Sequence, residues 1–274
     1  MGVHAYIPAS DGAIAALIRA HCVSVASPRV VEVGCGPGRI TGMLARTAPH
    51  AQVTGVDYDT RFVAYARKTL HGIEFVQSDV MSFVPEGPVD VVVSQGFHHH
   101  VPKAQVVAML KHIRAWLTPG GIYVLGDEFL AHYGSEAERR MRCVAWYSHI
   151  IAHALRKNEP LLAREEAKTL LDDLQIAHKS EEDITLVLTR CEEIDQEWRV
   201  GSYTMAQELH AQLDARRERH ASGDHTLDLS RGDYKIDHAH FIAEAEEAGF
   251  RVASVQTFGP QLLCGSMSVF VLRK

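Results

Sequence analysis

The chain has 274 residues and a formal net charge of -6, and it is 46% hydrophobic and 23% charged. These values are ordinary for a globular protein, built as one large domain or as a core with an insertion. The balance favours neither nucleic acid nor an anionic membrane as a partner, and no apolar run approaches the ~20 residues of a transmembrane helix. The scattered cysteines and the lack of a basic amino-terminal region favour a cytoplasmic protein without disulfides.

The first half of the chain alternates helical and strand-like patterns. The spacing of Ile14, Leu17, Ile18 and Val25 predicts an amphipathic helix over residues 10–26, with Ser10 or Asp11 as its N-cap. Apolar runs then predict strands at 29–33, 51–56, 73–77, 89–94 and 121–129, with helices between them at 39–48, 60–70 and 103–117. This alternation indicates an α/β fold with a parallel sheet and helices on both faces.

The pattern is interrupted by residues 131–232, which are mostly charged and have the spacing of helices. It resumes with a predicted helix at 237–250 and strands at 251–258 and 264–274. An insertion at this point would cover the carboxyl edge of the sheet, where open α/β sheets bind ligands. We therefore predict a Rossmann-like, doubly wound core from residues 1–130 and 233–274, with residues 131–232 as a helical lid.

A glycine-rich loop follows the first predicted strand. In "VVEVGCGPGR", Gly34, Gly36 and Gly38 let the backbone turn tightly and approach a nucleotide-like ligand, while the next helix offers its free N–H groups. The last glycine of a dinucleotide fingerprint would fall at position 39, which is Arg39. Pyrophosphate binding of that type is therefore disfavoured.

Carboxylates lie at or just beyond the ends of three predicted strands. Glu32 precedes the glycine loop and could face a ligand cation, whereas Asp57 occupies the position from which a carboxylate reaches both ribose hydroxyls. Asp79, after the third strand, could accept a hydrogen bond from an adenine amino group. Each could instead cap a helix, and the loop could be only a tight turn, but the combination favours an adenosine-like ligand.

Together with "TGVDYD", "QSDV", "VDVVVSQGFHHH" and "IRAWLTPGGIYVLGDE", these motifs resemble the class I S-adenosylmethionine-dependent methyltransferases over residues 29–130 and 237–274. The resemblance implies a seven-stranded sheet, methyl transfer from S-adenosylmethionine and a small-molecule acceptor. It places cofactor contacts at Glu32, Gly34 and Gly36 near the methionine part, Asp57 and Tyr58 around the ribose, Asp79 and Val80 around adenine, and Ser94 and Gln95 where the methionine part meets the substrate pocket.

Three consecutive histidines, residues 98–100, follow the fourth strand and would lie beside the transferred methyl group. Many methyltransferases of this superfamily have a histidine here as a pocket wall or a general base. A metal site is the competing interpretation, because Gln95 precedes His98 by three residues, and "WYSHIIAHA" places His149 and His153 four apart on one helix face.

The segment "GDEFLAHYGSEAERRMRCVAWYSHI" is similar to the metal-dependent α-keto-acid C-methyltransferases of unusual-amino-acid and peptide-antibiotic pathways. That resemblance implies a zinc or iron ion bound by Gln95, His98 and His149, with His99 and His153 as competing ligands. The metal would bind a 2-oxo acid and stabilise its enolate, while His99 would take the proton from the β-carbon.

We therefore expect an enzyme, and metal-dependent C-methylation of the β-carbon of a 2-oxo acid is the favoured reaction. The alternative is a metal-free O- or N-methyltransferase of small molecules in which His98 or His99 is the general base. A third hypothesis is a binding module that retains the cofactor site without chemistry. The resemblance also allows a homodimer.

Overall fold

The computed structural model describes residues 7–139, 141–143, 145–146, 234–258 and 265–274. Its strands are β1 (Arg29–Val33), β2 (Gln52–Asp57), β3 (Glu74–Gln77), β4 (Val89–Gln95), β5 (Leu117–Leu130), β6 (Arg251–Phe258) and β7 (Gly265–Arg273). Its helices are α1 (Ile7–Cys22), α2 (Arg39–Thr47), α3 (Thr60–Thr69), α4 (Val106–Trp116) and α5 (His238–Glu247). The strands form one sheet in the order β3-β2-β1-β4-β5-β7-β6, with β7 antiparallel to both of its neighbours. The predicted seven-stranded, doubly wound fold is confirmed.

Both faces of the central strands are buried, which explains their nearly continuous apolar sequences. On β4, Val91 and Val93 pack with Ile14 and Ile18 of α1. Val92, between them in sequence, belongs to the core on the other face, which α4 and α5 cover. Alternate residues of β4 therefore face opposite layers of helices, and this alternation decides which side chains share a pocket.

The first helix begins earlier than the sequence predicts, at Ile7, and ends at Cys22. The predicted N-caps lie inside it and have tertiary partners instead. Ser10 is fully buried and its hydroxyl accepts a hydrogen bond from the Gln95 amide at 3.0 Å, while Asp11 forms an ion pair with Arg39. The predicted start was wrong because both polar side chains bind other elements rather than the helix terminus.

The ends of the predicted insertion lie together at the carboxyl end of β5. The Leu130 amide donates to the Ile236 carbonyl at 2.9 Å, and the Tyr133 amide donates to the Asp237 carboxylate at 3.1 Å. Most of residues 131–232 lie outside the described residues, so the helical lid stays a prediction. Within the described part of the chain, no helix has the length and apolar character needed to cross a membrane.

Two glycines of the loop after β1 differ in how closely the Phe97 ring approaches them, so they form a matched pair for a test of this packing. Both have positive φ, 65° at Gly34 and 50° at Gly36, but a Cβ on Gly34 would lie 2.2 Å from the Phe97 ring, whereas a Cβ on Gly36 would meet nothing within 4 Å. Gly34→Ala should lower the free energy of unfolding by roughly 2–4 kcal/mol, and Gly36→Ala by about 1 kcal/mol, because only the former adds overpacking to backbone strain.

Urea unfolding of the two variants measures the difference. Adding Phe97→Ala should recover part of the loss in Gly34→Ala and none of the loss in Gly36→Ala. Equal destabilisation by the two alanines would contradict the packing of Phe97 against the loop.

Candidate active site

The site is organised by neighbouring carboxyl ends of parallel strands. Across the sheet, β3, β2, β1, β4 and β5 follow one another, and Asp57 at the end of β2 is paired with Gln77 at the end of β3. The segments that leave these strands therefore emerge along one edge. Because the strand order reverses between β1 and β4, this edge contains the crevice in which such sheets bind ligands.

The glycine loop and Asp57 meet at this edge, as predicted. The Asp57 carboxylate accepts hydrogen bonds from the backbone amides of Gly36 at 2.8 Å and Asp59 at 2.9 Å. Burial raises the pKa of Asp57, while these two hydrogen bonds act in the opposite direction. Gly38 has no side chain with which to cap α2, so the first N–H groups of that helix face the loop and suit a polar ligand.

Beyond Asp57, exposed side chains surround the place predicted for adenosine. Tyr58 is 56% exposed and Met81 is 37% exposed, and they follow the adjacent strands β2 and β3. Asp79 accepts a hydrogen bond from the Met81 amide at 2.7 Å, and Val80 lies between them. The sequence analysis did not identify Met81, although its position just after a strand was available as a signal.

Glu32 has a different environment from the one predicted. It is 1% exposed, and its carboxyl accepts a hydrogen bond from the Thr41 hydroxyl of α2. Burial raises the pKa of Glu32 to about 8, against the opposing effects of Thr41 and Arg39. The contact with Thr41 joins β1 to α2, and the raised pKa favours the uncharged form of the carboxyl.

Ser94 and Gln95 point to opposite faces of the sheet because they are consecutive on β4. Ser94 is fully buried, and its hydroxyl lies 2.8 Å from the Tyr123 hydroxyl in the core. The structure does not place Ser94 in the predicted pocket. Gln95 points toward α1 and fills the space beside Gly126, where its carbonyl oxygen is buried without a hydrogen-bond donor among the described residues.

The structure does not bring the predicted metal ligands together. Gln95 donates to Ser10 of α1, whereas the His98 ring packs edge-on against Phe241 of α5, with 5.0 Å between ring centroids. These helices cover opposite faces of the sheet. The two side chains diverge because Gly96 turns the chain between them at a φ of 65°, so the three-residue spacing of a helix does not apply to this pair. His149 and His153 lie outside the described residues, within which no group of three or more potential ligands could hold a metal ion.

The middle histidine of the triplet forms a buried pair with a carboxylate. The His99 Nδ1 atom lies 2.5 Å from the Asp127 Oδ1 atom, and the His99 amide donates to the other oxygen at 3.3 Å. Burial would raise the pKa of Asp127, but His99 and, to a lesser degree, His98 hold it well below its usual range. This arrangement fixes the orientation of the His99 ring, as acid–base catalysis requires.

The sequence analysis did not identify Asp127 or the ion pair beside it. Glu128 and Lys235 are both buried, with 3.3 Å between carboxylate and ammonium. The "GDE" sequence near the end of a predicted strand was a signal for Asp127, since the residue lies close to the carboxyl end of β5, beside β4. No sequence signal pointed to Lys235, which lies more than a hundred residues from its partner along the chain.

Known proteins resemble this chain in sequence and in fold. Residues 30–121 match the family described as a methyltransferase domain. It is 33% identical over 174 residues to a trans-aconitate 2-methyltransferase of Methylobacterium nodulans, an alignment that spans 62% of this chain and 60% of that protein. A second such enzyme, from Azoarcus sp., is 33% identical over 115 residues, 41% of this chain and 43% of that one. The chain thus spans between two fifths and two thirds of these relatives.

Solved structures show the same fold at low sequence identity. A magnesium protoporphyrin IX methyltransferase of Synechocystis matches with a TM-score of 0.52 and 13% identity over 99% of this chain and 85% of that one. A 1,6-didemethyltoxoflavin-N1-methyltransferase of Burkholderia thailandensis matches with a TM-score of 0.51 and 14% identity over 97% of this chain and 78% of that one. These likenesses show the class I methyltransferase fold.

The position of Asp57 predicts its part in cofactor binding. Asp57→Asn should weaken S-adenosylmethionine binding by about 1–3 kcal/mol, because the charged acceptor for the ribose hydroxyls is lost. Titration calorimetry measures the change. Asp59→Asn is the matched control: Asp59 is the N-cap of α3, where asparagine also caps well, so affinity should be retained. Unchanged affinity in Asp57→Asn would remove Asp57 from the site.

The raised pKa of Glu32 predicts a pH dependence of stability. In the unfolded chain Glu32 ionises near 4.5, but in the folded protein it keeps its proton up to about 8. Unfolding therefore releases a proton between these values, so stability falls as pH rises, by about 1.4 kcal/mol per pH unit for this group, and the effect is complete above the folded pKa.

Glu32→Gln should remove this part of the slope while keeping the contact with Thr41. Urea unfolding from about pH 5 to 8 measures the slope, and the exposed Glu86→Gln serves as the control for the same charge change. Identical slopes in the wild type and Glu32→Gln would show that Glu32 is ionised in the folded protein.

Proposed function

We propose that the protein is an S-adenosylmethionine-dependent methyltransferase that methylates a hydroxyl or amine of a small molecule, with His99 as the general base. The observation that carries this proposal is the buried His99–Asp127 pair, which lies at the end of β4 and β5 beside the glycine loop. The acceptor class follows from the chemistry, because hydroxyls and amines must lose a proton when they are methylated.

The strand order supports the placement of the cofactor. Adenine would lie by β3 near Asp79 and Val80, the ribose at Asp57 on β2, and the methionine part at the glycine loop after β1. The sulfonium methyl group would then be directed toward β4 and β5. The likeness to methyltransferases, one of them solved with bound S-adenosylhomocysteine and its substrate, supports the same cofactor.

The His99–Asp127 pair, called the dyad below, would take one proton from the acceptor as the acceptor displaces the methyl group from sulfur. When the Nδ1–H group of His99 donates a hydrogen bond to the Asp127 carboxylate, Nε2 is the basic nitrogen of the ring. Nε2 takes the proton of the acceptor, the acceptor attacks the sulfonium methyl in line, and S-adenosylhomocysteine leaves as a neutral thioether. Asp127 stabilises the imidazolium that forms, as carboxylates do beside catalytic histidines.

A carboxylate acceptor is the second candidate. The relatives are named as trans-aconitate 2-methyltransferases, and a buried cation, Lys235, forms an ion pair with Glu128, the residue that follows Asp127 on β5. A carboxylate is already deprotonated at neutral pH and needs no base for methylation. The two candidates therefore differ in how far the rate depends on His99.

Metal-dependent C-methylation of a 2-oxo acid has less support than either candidate. Gln95 and His98 contact helices on opposite faces of the sheet, and the matched relatives are named for a different acceptor. The proposal therefore includes no zinc or iron, and it assigns His99 the role of base that the metal-free alternative predicts.

Substitutions in the dyad test the proposal. His99→Gln and Asp127→Asn should lower kcat/KM for a hydroxyl or amine acceptor by about 100- to 10,000-fold, because the base is lost or misoriented. The affinity for S-adenosylmethionine, measured by calorimetry, should stay the same. His71→Gln, at an exposed position, is the control for losing an imidazole.

The acceptors should include trans-aconitate beside hydroxyl and amine compounds, with S-adenosylhomocysteine release as the readout. Turnover of a carboxylate acceptor that is unaffected by His99→Gln would support the second candidate. An unchanged rate with a hydroxyl or amine acceptor would refute His99 as the base.

A further inference from the structure

A second histidine–carboxylate contact lies next to the dyad and has no part in the reaction described above. The Nε2 atom of His98 lies 3.4 Å from the Oε2 atom of Glu244 on α5, and His98 is only 3% exposed. Both atoms are buried, and neither has a hydrogen-bond partner among the described residues. Their 3.4 Å contact is longer than a good hydrogen bond, but it is the polar contact that the described residues give each atom, and leaving either atom alone in the protein interior is costly.

This contact acts on the turn that carries His99. His98 begins a single 3-10 turn, closed by the hydrogen bond from the Val101 amide to the His98 carbonyl at 3.0 Å. The His98 ring is held edge-on against Phe241, so the turn is attached to α5 by one apolar and one polar contact. A change in the His98 side chain therefore reaches the backbone of His99.

Two other elements hold the same turn. The His99 amide donates to Asp127 on β5 at 3.3 Å, and the His99 carbonyl accepts from the Tyr234 amide at 2.7 Å. Within the 3-10 turn, the titratable neighbour of His98 is His99. From the elements packed against the turn, the described titratable groups that interact with His98 are Glu244 on α5 and Asp127 on β5.

We propose that Glu244 is a positioning residue for the base: it holds His98, and through the 3-10 turn it keeps Nδ1 of His99 on Asp127. The inference rests on the proposed function only in that it takes His99 as the base. Glu244 does not contact the reacting atoms in this scheme. Its contribution is to keep the turn in the one arrangement in which ring and carboxylate meet at 2.5 Å.

The test uses the proton of the His99–Asp127 hydrogen bond, which proton NMR observes far downfield when such a bond is short and shielded from water. His99→Gln assigns the resonance by removing it. Glu244→Ala should remove the resonance, or speed the exchange of this proton with water about fivefold or more, because one attachment of the turn is lost. Glu244→Gln should retain it, since an amide can still bond to the His98 ring.

Glu247→Ala is the matched control, with the same change at an exposed position of the same helix. If Glu244→Ala does not fold, His98→Phe is the second test, because it keeps the ring packed on Phe241 and removes the Nε2 atom that contacts Glu244. The same loss of the resonance is expected. An unchanged resonance in the folded Glu244→Ala or His98→Phe protein would overturn the proposal, as would an equal effect of Glu247→Ala.

The outcome is separate from that of the proposed function. A resonance that responds to Glu244→Ala, in an enzyme whose rate does not depend on His99, would leave Glu244 as the positioning residue of a pair that is not the base. A wild-type protein without the downfield proton would overturn both the dyad and the part assigned to Glu244.

Discussion

The adjacency of β1, β4 and β5 is the constraint on which the candidate site depends. Parallel strands end at one edge of the sheet. This brings together the glycine loop after β1, the histidine turn after β4 and Asp127 near the end of β5, although they are far apart along the chain. The contact between Phe97 and Gly34 shows how closely two of these segments approach. A side chain at position 34 would push the histidine turn away from the glycine loop.

Two buried carboxyl groups at this edge, Glu32 and Asp127, have pKa values shifted in opposite directions. Glu32 is satisfied by Thr41 and keeps a raised pKa, so it acts as a neutral link between β1 and α2. Asp127 is equally buried, but the histidines beside it lower its pKa, and it stays ionised. Burial alone raises the pKa of a carboxyl, and only the partners decide whether the group remains a charge that can orient a base.

The predictions for the histidine triplet show where periodicity arguments fail. The sequence analysis assumed that Gln95 and His98 share a side because they are three residues apart, which holds within a helix. Gln95 is the last residue of a strand, and Gly96 reverses the chain before His98. The two side chains therefore bind to α1 and α5, on opposite faces of the sheet. For His99, by contrast, the structure shows a buried contact with Asp127, and its role as base stays a proposal.

The sequence by itself determined the sheet, the glycine loop and the position of Asp57, because strand periodicity, turn glycines and strand ends are local properties that the residues express directly. Only the tertiary structure decided the partners of buried polar side chains. The position of Asp127 near a strand end was visible in the sequence, but its pairing with His99 and that of Lys235 with Glu128 were not, since these contacts join elements that are distant along the chain. Ser10 and Asp11 were misassigned as helix caps for the same physical reason: a polar side chain takes the strongest partner that the fold brings to it, and sequence spacing does not report which partner that is.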